Sequence, residues 1–502
     1  MEQDVGLDWR VNTPVSTMRA RLPIPLLLSF AMLAGNALAQ TTLPPTVGAA
    51  LARARLPLEA VSLVVVAADG QSSPRLSHRA QVPMNPASVM KLVTTFAALE
   101  TLGPGFVWTT SAHVEGTVKE GRLHGNLYLK GQGDPKLVVE RLWLLLRRVQ
   151  GLGIRAVAGD IVLDRSAFEA FTQTPGDFDG EPLRPYNALP DALLINFKSV
   201  MMTFVPDRAA QVARVHYEPA LAGVQMQASV PLMSGECNDY RAALKVDLSD
   251  PTRFRFDGAY PASCGEKSWP LAYADPASYS ARVVEGLWRG MGGELGGRVR
   301  EGQVPATLPA AVNASSPPLA ETIRDINKFS NNVMAQQLFL TLSQQSKGVG
   351  SLSGSRALVQ DWWRERMGST DAPVLDNGSG LSRSERISAQ ALARLLQTAW
   401  ASPLMPELLS SLPIVGVDGT LRRIKGQAAG SAHLKSGSLR DVVAMAGVVH
   451  ALSGQRYVLV AIVNHPEAQA ARAALEALVE WTYRDAEYRS TQRTGLSQTT
   501  RN

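Results

Sequence analysis

A long β-rich stretch, roughly residues 105–270, separates two parts of the chain that carry helical patterns. Within it, short runs of β-branched or alternating apolar residues recur between clusters of turn-forming residues. The stretch also contains the two cysteines of the chain, Cys237 and Cys264. We expect it to form one or two β-rich domains that are inserted into a discontinuous domain.

The parts on either side of this stretch predict a domain that contains both helices and strands. Residues 61–67 form a β-branched run that is typical of a buried strand, and the helix that follows it is expected to end near Leu102, before a Gly-Pro-Gly sequence. Three β-rich runs between residues 432 and 463 are joined by short turns, which indicates antiparallel strands. The amphipathic residues 468–483 predict a helix that packs on this sheet.

The composition is that of an ordinary globular protein, with 45% hydrophobic and 19% charged residues among 502. A chain of this length can bury at least two cores. The formal charge of +6 is small for the length, and no basic run is interleaved with aromatic residues. We therefore expect no nucleic-acid partner.

Both ends of the chain are expected to lie outside the folded part. Basic residues precede an apolar run, residues 22–33, and small residues with signal-peptidase spacing end at Ala39. A membrane anchor is the alternative, but this run is shorter than the span of about 20 residues that a bilayer requires. We expect residues 1–39 to be an N-terminal extension plus a signal peptide, with cleavage after Ala39. The polar residues 487–502 predict a disordered tail, and no other segment is apolar enough to span a membrane.

Export would place the two cysteines in an oxidising compartment. A disulfide between Cys237 and Cys264 is then expected, while two free buried thiols are the alternative. The pair lacks an adjacent histidine cluster, so it does not predict a zinc site, and we expect no metal or other cofactor.

One motif lies at the start of the first predicted long helix. Asn85 is a favourable N-cap and Pro86 suits the first helical position, so we expect Ser88 in the first turn and Lys91 one turn later. Side chains three residues apart share a helix face, which brings the hydroxyl next to the amine. A serine nucleophile needs an adjacent base, and a lysine that burial keeps partly neutral is such a base. The alternative is an ordinary capped helix, although Ser88 is the only serine that is followed by lysine at the third position.

Two further motifs supply complementary groups. Ser330 and Asn332 form a Ser-x-Asn triplet between two helical patterns, and Lys435, Ser436 and Gly437 form a Lys-Ser-Gly triplet on a predicted strand. Ser330 can relay a proton, Asn332 can hydrogen-bond a substrate amide, and Lys435 supplies a second cation. Our interpretation of Gly437 is that it lets a substrate backbone approach the strand closely.

The ordered set Ser-x-x-Lys, Ser-x-Asn and Lys-Ser-Gly resembles the penicillin-recognising serine acyl enzymes. The long insert between the first two motifs is similar to that of the class C low-molecular-mass penicillin-binding proteins, the D-alanyl-D-alanine carboxypeptidase/endopeptidase family of the peptidase S13 type. Residues 131–135, 376–383 and 418–421 are also similar to the pattern of that family. The resemblance covers nearly all of the chain after the expected signal peptide.

The resemblance implies a role for each residue of the first two motifs. Ser88 would be the acylated nucleophile and Lys91 its base, while Ser330 and Asn332 would form the second catalytic element. The N–H groups of Ser88 and Ser438 would form the oxyanion hole.

The resemblance also implies how the substrate is held. Lys435 and Ser436 would recognise a terminal carboxylate, with Ser436 standing where the family more often has threonine. Arg383 would either contact the peptide stem or support its own loop. Gln132 stands where the family often has glycine, and we assign it no role.

The two lysines are expected to carry different charges. Lys91 must be neutral to accept the serine proton, and we expect the cation of Lys435 to lower the pKa of Lys91. Lys435 itself is expected to stay charged, because its task is to hold an anionic group.

The fold that the resemblance implies is an α/β penicillin-binding/serine β-lactamase-like domain, with an antiparallel sheet flanked by helices. Residues 40–105 and 271–486 would form this domain, and residues 106–270 the β-rich insert. The implied function is a periplasmic serine-type D-Ala-D-Ala carboxypeptidase or endopeptidase that acts on peptidoglycan peptides through an acyl-enzyme. β-Lactams would be its covalent inhibitors.

Other classes of protein fit the sequence less well. A Ser-His-Asp hydrolase would require a nucleophile elbow, but the sequence contains no Gly-x-Ser-x-Gly. His433 lies two residues before Lys435, where we expect packing or hydrogen bonding rather than catalysis. A β-lactamase shares the acylation machinery, and the large insert favours the peptidase. A non-catalytic peptidoglycan-binding module would not need the intact pair Ser88 and Lys91.

Overall fold

The computed structural model describes residues 42–368 and 371–485. The expected N-terminal extension and signal peptide, residues 1–39, and the expected disordered tail, residues 487–502, lie outside the described residues and stay predictions. In the described ranges, no helix has the length and the apolar composition that crossing a membrane would require.

The α-helices of this part of the chain are α1 (Pro45–Arg53), α2 (Lys91–Leu102), α3 (Val139–Gly151), α4 (Tyr240–Leu244), α5 (Pro276–Gly290), α6 (Leu319–Lys328), α7 (Asn332–Lys347), α8 (Leu352–Met367), α9 (Ala389–Trp400), α10 (Met405–Ser411) and α11 (Arg472–Tyr483). The strands of the first half are β1 (Val61–Ala67), β2 (Leu76–His78), β3 (Pro83–Met84), β4 (Thr109–Val114), β5 (Thr117–Lys119), β6 (Arg122–His124), β7 (Leu127–Lys130), β8 (Ala156–Val157), β9 (Ile161–Asp164), β10 (Ser199–Asp207), β11 (Val212–Glu218), β12 (Gln225–Met226) and β13 (Ser229–Met233). The later strands are β14 (Val246–Asp247), β15 (Arg253–Phe256), β16 (Tyr260–Pro261), β17 (Lys267–Ala272), β18 (Glu294–Leu295), β19 (Val299–Glu301), β20 (Ala310–Ser315), β21 (Ile387–Ser388), β22 (Ala432–Leu439), β23 (Val442–His450) and β24 (Arg456–Asn464).

A five-stranded antiparallel sheet joins the two ends of the described chain, in the order β2-β1-β24-β23-β22. Strand β22, which carries the Lys-Ser-Gly motif, therefore lies at one edge of this sheet. Alternate residues of β1 enter two different cores. Val64 and Val66 face a core that includes residues of α2, α7 and α9, while Leu63 and Val65 face a core formed with α1 and α11. The predicted antiparallel sheet flanked by helices is thus confirmed.

The β-rich part has a core of its own, which runs from Ala112 to Ala314. Two five-stranded sheets, β19-β9-β7-β4-β20 and β16-β13-β11-β10-β17, supply most of its residues. Helix α5 contributes the fully buried side chain of Trp288 to this core. Strands β19 and β20 pair with β9 and β4, so the predicted boundary at residue 270 falls among paired elements. We propose that the insert extends to about residue 315.

The two cysteines of the insert are joined, which confirms the predicted disulfide. The S–S distance between Cys237 and Cys264 is 2.06 Å. In the chain-entropy model, closing a loop with this sequence separation of 27 removes entropy from the unfolded state and raises its free energy by about 3.5 kcal/mol. The bond stabilises the insert and lies outside the three motifs.

Helix α7 connects the insert to the rest of the protein. The side chain of Gln337 is fully buried, accepts the Asp191 N–H at 2.7 Å and donates to the Gly133 carbonyl at 3.1 Å. Two turns further, Gln344 donates to the side chain of Gln132 at 3.0 Å. The segment of residues 131–135 therefore serves to attach the insert to the helix that begins at Asn332.

Candidate active site

The nucleophile motif lies in a tight turn before helix α2. Residues 87–90 form a 3₁₀ turn, and α2 begins at Lys91. Asn85 does not cap this helix as predicted, because its side chain accepts the N–H of Ala87, at 2.9 Å, and Ala87 takes a left-handed backbone with φ +47°. Pro86 is not the first helical residue as predicted, because the helical turn begins at Ala87. Ser88 is still held one turn from Lys91, as the spacing predicts.

Lys91 lies at the centre of the site and is fully buried. Its Nζ lies 3.1 Å from Ser88 Oγ, 2.7 Å from Asn332 Oδ1 and 2.5 Å from the Ser379 carbonyl oxygen. The structure thus brings together two motifs that are 241 residues apart in the sequence. Burial lowers the pKa of Lys91 to about 7, against an opposing effect of the carboxyl group of Glu385.

Lys435 occupies a second buried position in the same cluster. Its Nζ donates to Ser330 Oγ at 2.8 Å and to the Ser436 carbonyl at 2.7 Å. Ser330 lies between α6 and α7 with φ +55°, a left-handed conformation that is uncommon outside glycine and that is concentrated at functional sites. The five predicted catalytic residues therefore form two neighbouring hydrogen-bonded groups, Lys91 with Ser88 and Asn332, and Lys435 with Ser330.

The electrostatics of the two lysines differ from the prediction. The main cause of the lowered pKa of Lys91 is burial rather than the cation of Lys435. Burial, and then the charge of Lys91, also lower the pKa of Lys435 well below its ordinary value. Both effects oppose the charged form of Lys435, and the expectation that it stays charged remains a prediction. Burial at both positions results from long-range packing, which the motif spacing does not reveal.

The Lys-Ser-Gly strand packs directly against the turn of the nucleophile. A Cβ atom added at Gly437 would lie 2.5 Å from the Pro86 carbonyl oxygen and 3.2 Å from Ser88 N. The missing side chain therefore lets the Ser88 turn approach the strand, and the interpretation that it also admits a substrate backbone stays a prediction. The neighbouring Ser438 is exposed, and its strand lies at the sheet edge.

Residues 418–421 support this strand from the other side. Asp418 accepts from the Ile414 N–H at 2.7 Å and from Lys328 Nζ at 2.5 Å, near the end of α6 and the adjoining Ser330 turn. Two residues on, the hydroxyls of Thr420 and Ser436 are 2.6 Å apart. The segment holds the second and third motifs in register.

A loop at residues 376–382 closes the site behind the nucleophile. Its Gly380 has φ +81°, and a Cβ atom there would lie 1.9 Å from the Ala87 carbonyl oxygen. Its Ser379 carbonyl is one of the acceptors of Lys91. The fully buried Glu385 accepts the backbone N–H groups of residues 376, 377 and 378 at 3.1, 3.1 and 2.9 Å.

The sequence did not identify Glu385 as a site residue. Burial raises the pKa of its carboxyl group, and within the described residues its Oε2 has no hydrogen-bond partner. The only signal in the sequence was its position two residues after the segment 376–383, which resembles the family pattern.

Arg383 lies away from the five predicted catalytic residues. Its guanidinium is 2.9 Å from Asp441 Oδ1 and stacks 4.5 Å from the ring centre of Phe178. It lines a cavity of about 200 Å³ that does not include Ser88. His433 also lies away from these five residues, because its ring packs 5.6 Å from that of His450. Among residues 42–368 and 371–485 there is no cluster of three metal-ligating His, Cys, Asp or Glu side chains.

Two cavities meet at Ser330. One, of about 470 Å³, is lined by Ser88, Ser330 and residues 436–438. The other, of about 460 Å³, lies towards the insert and is lined by Asn332 and Tyr186, whose carbonyl accepts from Asn332 Nδ2 at 3.3 Å. The first cavity contains both the hydroxyl nucleophile and the sheet edge, so it is the place where a substrate would react.

Comparisons with known proteins agree with this arrangement. The chain is 28% identical over 450 residues to the D-alanyl-D-alanine carboxypeptidase of Actinomadura sp. (strain R39). The aligned residues cover 86% of this chain and 82% of that protein. The chain is 25% identical over 389 residues to D-alanyl-D-alanine carboxypeptidase DacB of Haemophilus influenzae, covering 75% and 80%. The crystal structure of penicillin binding protein 4 from H. influenzae has the same fold, with a TM-score of 0.69 at 23% identity over 86% of this chain and 99% of that chain.

The family comparison covers almost the whole described chain. The model of the D-Ala-D-Ala carboxypeptidase 3 (S13) family matches residues 45–485 and so includes all three motifs and the insert. The chain therefore belongs to the D-Ala-D-Ala carboxypeptidase 3 (S13) family of serine-type hydrolases.

Proposed function

We propose that this chain removes the terminal D-alanine from the stem peptides of peptidoglycan, and cleaves D-alanyl cross-links, through an acyl-enzyme on Ser88. The observation that carries the proposal is the 3.1 Å contact between Ser88 Oγ and Lys91 Nζ, whose pKa is about 7. An amine with this pKa is half neutral near neutral pH, which suits a general base. The named activity of the Actinomadura relative supports the same reaction.

In acylation, neutral Lys91 takes the hydroxyl proton as Ser88 Oγ forms a bond to the carbonyl carbon of the penultimate D-alanine. The N–H groups of Ser88 and Ser438 hold the oxyanion of the tetrahedral intermediate. The C–N bond then breaks, and the proton passes by way of Ser330 to the leaving amine. Ser330 is suited to this relay because Lys435 Nζ lies 2.8 Å from its hydroxyl.

Deacylation repeats these steps with water in place of serine. Lys91 removes a proton from the water molecule as its oxygen attacks the ester carbonyl. The ester C–O bond then breaks, Ser88 Oγ regains a proton from the lysine, and the shortened peptide leaves as a carboxylic acid.

Lys435 and Ser436 bind the carboxylate of the leaving residue in this proposal. The negative charge of this anion would raise the pKa of Lys435 and so stabilise the charged form of the buried amine. A peptide without a terminal carboxylate would not supply this charge, so recognition depends on the substrate anion.

We place the protein in the periplasm on the basis of the predicted signal peptide. We also propose that β-lactams inhibit it covalently. A H. influenzae penicillin binding protein 4 structure holds a β-lactam. That chain superposes on this one with a TM-score of 0.66 at 23% identity, which supports the shared fold.

The test is the intact mass of the protein after reaction with a labelled penicillin, followed by release of D-alanine from an N-acylated D-Ala-D-Ala peptide. We expect one adduct on the wild type and on the control Ser410→Ala, whose serine is exposed on α10. Ser88→Ala should form no adduct and release no D-alanine. An adduct that persists in Ser88→Ala would refute the proposal.

A further inference from the structure

Two guanidinium groups lie in the catalytic cavity without an assigned task. Arg423, which follows the 418–421 segment, and Arg472, at the start of α11, line the same cavity of about 470 Å³ as Ser88 and Ser436. Both residues are exposed. The reaction as proposed uses neither of them.

The contacts of these arginines leave their positive charge unbalanced. Arg472 donates to Gln469 Oε1 at 2.7 Å and to Ser438 Oγ at 3.3 Å, both of which are neutral groups. In the described part of the chain, neither Arg423 nor Arg472 has a carboxylate within ion-pair distance. Glu476 also lines the cavity but pairs with neither. The wall beyond the nucleophile is therefore net positive.

The position of this wall relates it to the leaving group. In the proposed function, on which this inference rests, Ser436 holds the carboxylate of the residue that leaves. Arg423 and Arg472 share the cavity with Ser436, whereas Arg383 lines a different cavity. A side chain carried by the leaving residue would therefore extend towards the two arginines.

We propose that Arg423 and Arg472 form a second anion subsite on the leaving-group side, which favours leaving residues that bear another carboxylate. The leaving D-alanine of a simple stem peptide ends at one carboxylate. The leaving part of a cross-link continues into a second peptide that carries further carboxylates. The subsite thus biases the enzyme towards cross-linked substrates.

Two peptides of equal shape test this subsite. An N-acylated peptide that ends in D-Ala-D-Glu differs from one that ends in D-Ala-D-Gln only in one charge. We expect the wild type to show a kcat/KM about fivefold higher for the D-Glu peptide, as one or two exposed ion pairs would give. Raising the salt concentration to about 1 M, where the Debye length is about 3 Å, should reduce this ratio.

The variants Arg423→Gln, Arg472→Gln and their combination should lower the ratio stepwise to about one. Arg422→Gln is the matched control, because its side chain is exposed next to Arg423 but does not line the cavity. Equal rates for both peptides in the wild type, or a preference that survives in the double variant, would overturn the subsite alone. Hydrolysis of neither peptide while the D-Ala-D-Ala peptide is still cleaved would also overturn the subsite alone. Failure to cleave the D-Ala-D-Ala peptide as well would overturn the proposed function and the subsite with it.

Discussion

Lowering the pH should slow the acylation of Ser88, because the attack requires the neutral amine of Lys91. With a pKa of about 7, the neutral fraction of this amine is about 1% at pH 5 and nearly complete at pH 9. The rate constant for penicillin acylation should therefore fall about 100-fold from the plateau to pH 5. An unburied lysine would instead make the rate climb up to about pH 10.

The neighbouring charged groups allow a sharper form of this test. Glu385 raises the pKa of Lys91, and the charge of Lys91 in turn lowers the pKa of Lys435. Glu385→Gln removes the negative charge but keeps an oxygen that can accept the three backbone N–H groups of the loop. The midpoint of the acid limb should then move to lower pH, with acylation at pH 6 faster than in the wild type.

The assay is stopped-flow acylation by a chromogenic penicillin between pH 5 and 9. Glu407→Gln, at a partly exposed position on α10, serves as the control and should keep the wild-type midpoint. A purely structural role of Glu385 would lower the plateau without moving the midpoint. A rate that does not change between pH 5 and 9 would refute the assignment of Lys91 as the base.

Three other outcomes follow from the same contacts. Lys91→Arg should lose penicillin acylation in the stopped-flow assay, because arginine cannot become neutral. Lys435→Arg keeps a cation and should retain part of the peptidase rate in the peptide assay. In Gly437→Ala the added Cβ would lie 2.5 Å from a carbonyl oxygen of the turn that carries Ser88. We therefore expect acylation to slow by on the order of 100-fold, and thermal unfolding to show a stability loss of about 1–3 kcal/mol. Thiol titration of the unfolded, unreduced protein should find no free thiol at Cys237 or Cys264; two titratable thiols would contradict the disulfide.

The elements that the sequence predicts best are those with a strong local pattern. The run at residues 61–67 is a strand with seven buried residues, and the first long helix ends at Leu102 before Gly103, as expected. Strand β22 contains the predicted residues 432–436 and continues to Leu439. Local patterns suffice here because the hydrophobic period and the terminating residues act within a few positions.

Features that depend on distant partners could not be predicted in this way. The end that we propose for the insert rests on the pairing of β20 with β4, whose residues are far apart in the chain. The role of Glu385 depends on three backbone N–H groups, which carry no side-chain signal.

The partners of Lys91 explain why its deprotonation must activate Ser88. As an ammonium group, the amine has three N–H donors and three acceptors, namely Asn332 Oδ1, the Ser379 carbonyl and Ser88 Oγ. The neutral amine has two N–H groups and one lone pair. The two carbonyl oxygens can only accept, so they keep the two N–H groups, and the lone pair is left to the one partner that can donate. Loss of the proton therefore reverses the hydrogen bond to Ser88, and its hydroxyl then points its hydrogen at the base.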